Sequence, residues 1–399
     1  MAGAVAFILL LTFLAQNNFY LIMFLRSNRC IRGFKILVAV FVCFACRLFA
    51  ADEGRVEETE KPVLRILNWT EFVMLDDSVP DGMSVELASP ILREFAEAND
   101  CLIEYSEYED AREILRLATS MPGYFDLFIT SQGEIIELNR AGFLESIDTQ
   151  RIKNYRNLDN RYLERMNPEV VGVTVPYLMG TTGIAYRSDL VEGEVNSLRD
   201  IFYPAESLKG KIGILGDEKT IFSLLLTCIG YDVEACGERE YRWAALQLNA
   251  LKEEGYIVLV SSSVDENVEA LNSGRIAMTI MFSGDALSAH DNNPLIKYVV
   301  PKEGGEGFTD RMAIASSSKK KDLAYRFIDY VLDARVGADN AMYLNYATPN
   351  KAARSIIEKE APEQIANPAI YPPKEIEEKL YEVGEVPELA TRFWGTIFN

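Results

Sequence analysis

Histidine is almost missing from this chain: His290 is the single one in 399 residues. That removes a His-rich metal site and weakens any Ser-His or Cys-His catalytic reading. Basic side chains are in deficit, 40 against 60 acidic, for a net charge of −20. Nucleic acid is excluded as a partner, because the phosphate backbone demands clustered Lys and Arg. There is no G-x-x-x-x-G-K-[ST] string and no G-x-G-x-x-G after a strand, so phosphate and dinucleotide binding have no support. Gly304-Gly305-Glu306-Gly307 is glycine-rich, but its acidic residue opposes phosphate, and it reads as a turn. Met281-Phe-Ser-Gly284 lacks the first glycine of a nucleophile elbow. There is no internal repeat, and after residue 50 no apolar run is long enough to cross a membrane. What is there is 49% hydrophobic and 11% aromatic residues. That suits a globular protein with room for two or three domains.

The first fifty residues differ from the rest. They hold Arg26, Arg29, Arg32, Lys35 and Arg47 and no acidic residue. Two apolar stretches, Ala2–Leu14 and Ile36–Cys46, are shorter than the roughly 20 residues of a spanning helix. The second has the order of a signal peptide: a basic run, an apolar core, then small residues at Ala45, Ala50 and Ala51. Residues 1–50 therefore read as a signal or targeting segment, with Met23 a candidate true start. A two-segment membrane anchor is the competing reading. Cleavage falls near Ala50, or Cys46 is the lipid-modified first residue, although Cys43 stands where a lipobox usually carries Leu. The acidic residues 51–62 read as a linker. Downstream only Cys101, Cys228 and Cys236 remain. They read as buried thiols, with a Cys228–Cys236 pair left open.

From Val63 onward, short apolar runs alternate with helical patterns. Val63–Asn68, Leu102–Tyr108 and Phe125–Thr130 read as strands. Ser89-Pro90 reads as the N-cap and first position of a helix carrying Ile91, Leu92 and Phe95 on one face. This βαβαβα order predicts a parallel sheet covered by helices. A second α/β series runs from Lys211 to Phe282, and the two units join near Val173–Gly183. His290 reads as an exposed loop residue. Asn68-Trp-Thr70 matches a glycosylation acceptor, but Asn68 ends a buried strand, so the match is taken as chance. Polar and aromatic residues recur at strand ends: Trp69-Thr70-Glu71-Phe72, Ser131-Gln132-Gly133, Asp217-Glu218 and Phe282-Ser283-Gly284-Asp285. Ligands of open α/β sheets bind outside those ends. A cleft lined by Trp, Phe and carboxylates suits an organic cation, whose charge pairs with acids and whose methylenes lie on rings.

These residues resemble the polyamine-binding proteins of bacterial spermidine/putrescine transport systems. The resemblance covers most of Val63–Asn399. It is carried by Asn68-Trp-Thr-Glu-Phe72, Phe125-Asp-Leu with Ser131, Val175-Pro-Tyr177 with Gly180 and Thr182, Pro301-Lys-Glu-Gly-Gly305, Asp310 with Ala313-Ile314, and Tyr346-Ala-Thr-Pro-Asn-Lys-Ala-Ala-Arg354. It implies an α/β, two-lobed periplasmic-binding-protein fold of type II, closing on ligand by a hinge. Residues 63–182 and 308–353 would form the first lobe, and 183–307 and 354–399 the second. It further implies a monomeric, extracytoplasmic receptor, periplasmic or tethered through Cys46. Such a receptor delivers putrescine or spermidine to the permease of an ABC transporter, without cofactor, metal or catalysis.

The site residues implied are Trp69, Thr70, Glu71, Phe72, Ser131, Asp217, Phe282, Phe308, Asp310 and Tyr346. Five positions depart from the family pattern. Phe72 stands for a usual Tyr, Gly133 leaves out an aromatic wall, Thr220 replaces a Glu, and Phe282 and Phe308 stand for Trp. Each departure weakens a contact to an ammonium, and one carboxylate fewer favours putrescine over spermidine. The alternatives are the same fold with a different small solute, a surface adhesin or sensor on the same scaffold, and a hydrolase working through paired carboxylates.

Overall fold

The computed structural model describes residues 61–398 except 77, 81 and 384–386. The targeting segment, Met23, Cys46 and most of the linker lie outside the described residues.

Ten strands carry the architecture: β1 (Val63–Trp69), β2 (Leu102–Tyr108), β3 (Leu127–Thr130), β4 (Val175–Arg187), β5 (Ile212–Leu215), β6 (Ile257–Ser261), β7 (Met278–Phe282), β8 (Ile296–Val299), β9 (Gly305–Ile314) and β10 (Leu380–Tyr381). Their order is β2-β1-β3-β9-β4-β7-β5-β6, with β8 paired to β4 and β10 to β9. The predicted parallel arrangement holds for β1 with β2 and β3, and for β5 with β6 and β7. It fails at the centre, where β3–β9, β9–β4 and β4–β7 are antiparallel. The reason is that β4 and β9 are the connections between the two α/β units and enter each sheet against its direction.

Two apolar cores result. The first gathers Leu64, Ile66, Phe95, Leu127, Val175 and Met312, and the second gathers Ile184, Ile214, Phe222, Leu248 and Ile280. The 13-residue strand β4 passes from one to the other. Its first half pairs β9 as far as Thr181↔Gly307, and its second half pairs β7 from Thr182↔Phe282. A register shift between Pro176 and Met179 bends the strand on the way. The lobe boundary expected at residue 354 needs correction. The helix Lys351–Glu360 puts Ala353 and Ile357 into the first core, and Ala361 follows them. The second core recruits chain again only from Ala390, Trp394 and Ile397 of the terminal helix Glu388–Phe398. An amphipathic helix follows its apolar face, and the face of Lys351–Glu360 matches the first lobe.

Local signals explain the elements that bear the site. Ser89 accepts from Leu92 N at 3.4 Å, capping helix α1 (Pro90–Ala98) as its Ser-Pro start predicts. Helix α2 (Gln132–Arg140) starts at Ser131, immediately after β3. Helix α3 (Glu218–Cys228) is capped by Asp217, which accepts from Lys219 N at 2.9 Å. Helix α4 (Ser283–Asn292) follows β7 without a break. It contains His290, which is half-buried with Nδ1 2.7 Å from Ile296 O, so the loop assigned to it above is corrected. Cys101 and Cys228 are buried free thiols, while free Cys236 is only half-buried. Among the described residues no helix is long and apolar enough to cross a membrane.

Candidate functional site

Strand alternation builds the first wall. Along β9, residues Glu306, Phe308 and Asp310 share one face, because successive side chains of a strand point to opposite sides. The order along that face is acid, ring, acid. The glycine-rich string taken as a turn is corrected here. Gly304, with φ +86°, closes a turn onto Pro301 O, Gly305 follows with φ +148° as the first residue of β9, and Glu306 lies on the strand and is buried.

Rings from both lobes meet around Phe308. Its centroid lies 5.5 Å from that of Phe282 and 5.9 Å from that of Tyr346, both edge-on. Tyr346 in turn stands edge-on to Phe72 at 5.3 Å. Phe72 is buried in the first core and supports Tyr346 from behind. Glycine makes the approach possible. A Cβ at Gly180 would sit 2.5 Å from Phe308 Cζ, and one at Gly284 would sit 2.3 Å from Tyr346 Cε2. Gly284 opens the second lobe's helix α4, whereas Tyr346 belongs to the first core. Gly284→Ala should therefore wedge the lobes apart and weaken ligand binding about 5- to 150-fold, the equivalent of a 1–3 kcal/mol overpacking penalty. Calorimetric affinity together with small-angle scattering of the ligand-loaded protein checks it. Unchanged affinity would mean the lobes need not meet here.

The acids are spread out. Asp310, 3% exposed, accepts from Trp69 Nε1 at 3.1 Å. Trp69 itself packs on Tyr108 with centroids 4.3 Å apart. Glu306 accepts from the hydroxyls of Thr220, at 3.0 Å, and Thr182. The same Thr220 hydroxyl lies 2.9 Å from Asp217. Asp285 lies in the first turn of helix α4, beside Tyr346. Glu134 of helix α2 accepts from Ser131 Oγ at 2.7 Å and faces Lys219 Nζ at 3.5 Å. Among the described residues no three acidic, Cys or His side chains converge closely enough to hold a metal ion.

Burial sets the electrostatics. It is the main reason Asp310 is pushed up to about 7. The Trp69 hydrogen bond and Arg311 pull the other way without cancelling it. Arg311 is largely committed to Glu382, with both contacts at 2.8 Å. Glu306 is pushed up to about 7 by burial and by the charge of Asp217, against its two threonine donors. Asp285 is pushed up to about 7 by burial and by Glu71. Burial also raises Asp217, with Glu134 adding to it. Four carboxyl groups thus hold protons more tightly than free acids do, and no basic side chain neutralises them fully. An incoming cation would do so.

Contacts link most of the residues singled out from sequence: Trp69 with Asp310, Phe308 with Phe282 and Tyr346, and Asp217 through Thr220 with Glu306. Trp69, Asp217, Phe282, Phe308, Asp310 and Tyr346 lie together, and Ser131 joins them through Glu134. Glu71 stands at the mouth, exposed, with φ +57°. Partial desolvation by its surroundings, then the charges of Asp265 and Glu107, raise its pKa although the side chain reaches solvent. The Asn68 side chain closes the turn beneath it, donating to Phe72 O at 3.1 Å and to Tyr105 OH at 2.6 Å. That engagement and full burial leave Asn68 no surface for a glycan. Thr70 is exposed and its hydroxyl donates to Tyr108 O at 3.3 Å, so it serves the turn. Four members were missed: Glu134, Lys219, Asp285 and Glu306. Asp285 was legible as the end of Phe282-Ser-Gly-Asp285. For Glu306 the signal was its i, i+4 spacing from Asp310.

Residues 91–371 match the bacterial extracellular solute-binding protein family. The spermidine/putrescine-binding periplasmic protein of Escherichia coli K12 is 27% identical over 314 residues, spanning 78% of this chain and 84% of that one. The putrescine-binding periplasmic protein of the same strain is 28% identical over 374 residues, spanning 88% of this chain and 95% of that one. Among solved structures, the spermidine/putrescine ABC transporter substrate-binding protein of Streptococcus pneumoniae superposes with a TM-score of 0.70. Its sequence identity is 22%, over 84% of this chain and 97% of that one.

Proposed function

Because the chain belongs to the bacterial extracellular solute-binding protein family, we propose that it captures a polyamine, putrescine or spermidine, between its lobes for uptake by an ABC transporter. The observation that carries this reading is the face of β9, where Glu306 and Asp310 flank Phe308. An α,ω-diamine has the complementary order: ammonium, methylenes, ammonium. Its charges would neutralise acids that burial now protonates, and its methylenes would lie among Phe308, Phe282 and Tyr346. Spread carboxylates suit separated charges on one flexible chain better than the single point charge of a metal ion. The relatives' names support the same ligand class.

Closure about β4 and β9 would bury the ligand and present a joined surface to a membrane permease. No chemical step on the ligand is required. The basic run, apolar core and small residues before Ala51 support export to the periplasm, with Cys46 the candidate attachment point for lipid. A monomer suffices for the hinge.

Calorimetry with putrescine, cadaverine, spermidine and spermine tests the reading. Saturable heat with at least one of them is the expected result. Absence of heat at millimolar ligand, with folded ligand-free protein, rejects it. Heat with an anionic or amino-acid-like solute instead would keep the fold and change the ligand.

A further inference from the structure

Lys219 is a cation placed inside an acid-lined cleft. It is the second residue of helix α3, an end where unpaired backbone N–H groups disfavour positive charge. Its neighbours Asp217 and Glu218 are what such an end normally takes. The lysine side chain is nonetheless only 28% exposed, and it reaches from the second lobe to the first. There Nζ lies 3.5 Å from Oε1 of Glu134 and 3.5 Å from Oε1 of Glu137, both on helix α2. The Glu134 side chain is 7% exposed, and its other oxygen is taken by Ser131. A Cβ on Gly133 would stand 3.6 Å from Nζ, an ordinary contact, so a side chain at residue 133 larger than Ala would meet the lysine. Glu134 belongs electrically to the cleft, for its charge raises the pKa values of Asp217, Glu306 and Asp310.

Resting on the polyamine reading above, we propose that Lys219 is a specificity-determining residue: its ammonium occupies Glu134 as a resident cation and denies that carboxylate to a third ligand amine. A diamine can place its two ends on Asp310 and Glu306, with neither of which Lys219 forms an ion pair: the salt bridges of its ammonium run to Glu134 and Glu137. A triamine must bring its extra charge against the lysine or displace it. Like charges set face to face in a partly dry site are strongly unfavourable, so the longer ligand is penalised. Because the bridge spans the lobes, it also forms only when they meet.

The test is Lys219→Gln, which keeps a polar side chain one atom shorter and removes the charge, with Lys219→Arg as the charge-keeping control. Affinities of the full chain for putrescine and spermidine are measured by calorimetry. In K219Q, spermidine should gain on putrescine by about tenfold or more, and in K219R the preference should stay as in the parent. An unchanged preference in K219Q, with putrescine still bound, overturns the role of Lys219 alone. So does an equal change in K219R. If the parent binds no polyamine, the ligand reading itself fails and this inference falls with it.

Discussion

Replacing Asp310 by Asn is expected to lower putrescine affinity about 30- to 5,000-fold, because truncating one partner of a buried charge pair typically costs about 2–5 kcal/mol. The variant keeps the geometry, since the amide oxygen of Asn can still accept from Trp69 Nε1, which Asp310 Oδ1 now does at 3.1 Å. What is lost is the negative charge. The ligand-free protein should move the other way. Burial already pushes Asp310 up to about 7, so above that pH the fold holds a poorly compensated charge. A neutral residue removes that burden, and D310N should melt at a higher temperature than the parent near pH 8. Calorimetry and thermal denaturation read the two effects separately. Normal putrescine binding by D310N would remove Asp310 from the site.

A change of pH should act on three acids at once. Asp285, Glu306 and Asp310 stand at about 7, against ordinary values of 3.8 for Asp and 4.5 for Glu. A dicationic ligand favours their ionised forms, so binding releases protons and affinity rises between about pH 6 and 8. The sign for stability is opposite. A raised carboxyl pKa means the folded protein binds more protons than the unfolded chain at intermediate pH. The stability this confers is fully present below the ordinary values and is lost as pH climbs through about 7. The ligand-free protein should therefore weaken from about pH 5 to 8, while its thermal shift on adding putrescine grows. Calorimetry in buffers of different ionisation heat counts the protons. Binding without proton release would show that these acids do not face the ligand.

The fold was readable where a single rule governs. Ser89-Pro90 gave a capped helix start, and the alternation of apolar runs with helical patterns gave strands at Val63–Asn68, Leu102–Tyr108 and Phe125–Thr130, which the structure places at Val63–Trp69, Leu102–Tyr108 and Leu127–Thr130. The central antiparallel pairing was not readable. Strand direction is set by how β4 and β9 cross between lobes, which no local pattern records. The lobe assignment of residues 354–366 failed for a related reason: an amphipathic helix shows that it has a buried face but not which core accepts it.

In the site, Trp69 and Asp217 were accessible because each closely follows or ends a strand, whereas Phe308 and Asp310 were reached through the family resemblance. Glu306 was hidden by three glycines around it, which suggest a turn, although the strand alternation that leads to Asp310 starts there. Lys219 was hidden by rank. One lysine among many in an acidic protein carries no signal until Glu134 and Glu137 are seen 3.5 Å away across the cleft. Thr220 is instructive as well. As a substitute for a carboxylate it looked like a loss, yet its hydroxyl lies 2.9 Å from Asp217 and 3.0 Å from Glu306 and shares its one proton between them, bringing a carboxylate from another strand into that corner.

A crystal structure grown with putrescine measures the central claim most directly. The account predicts one diamine between the lobes, with one nitrogen within hydrogen-bonding distance of Asp310, the other near Glu306 and Asp217, and the methylenes against Phe308. Density for putrescine elsewhere on the surface, with the space around Phe308 filled by water, would contradict it.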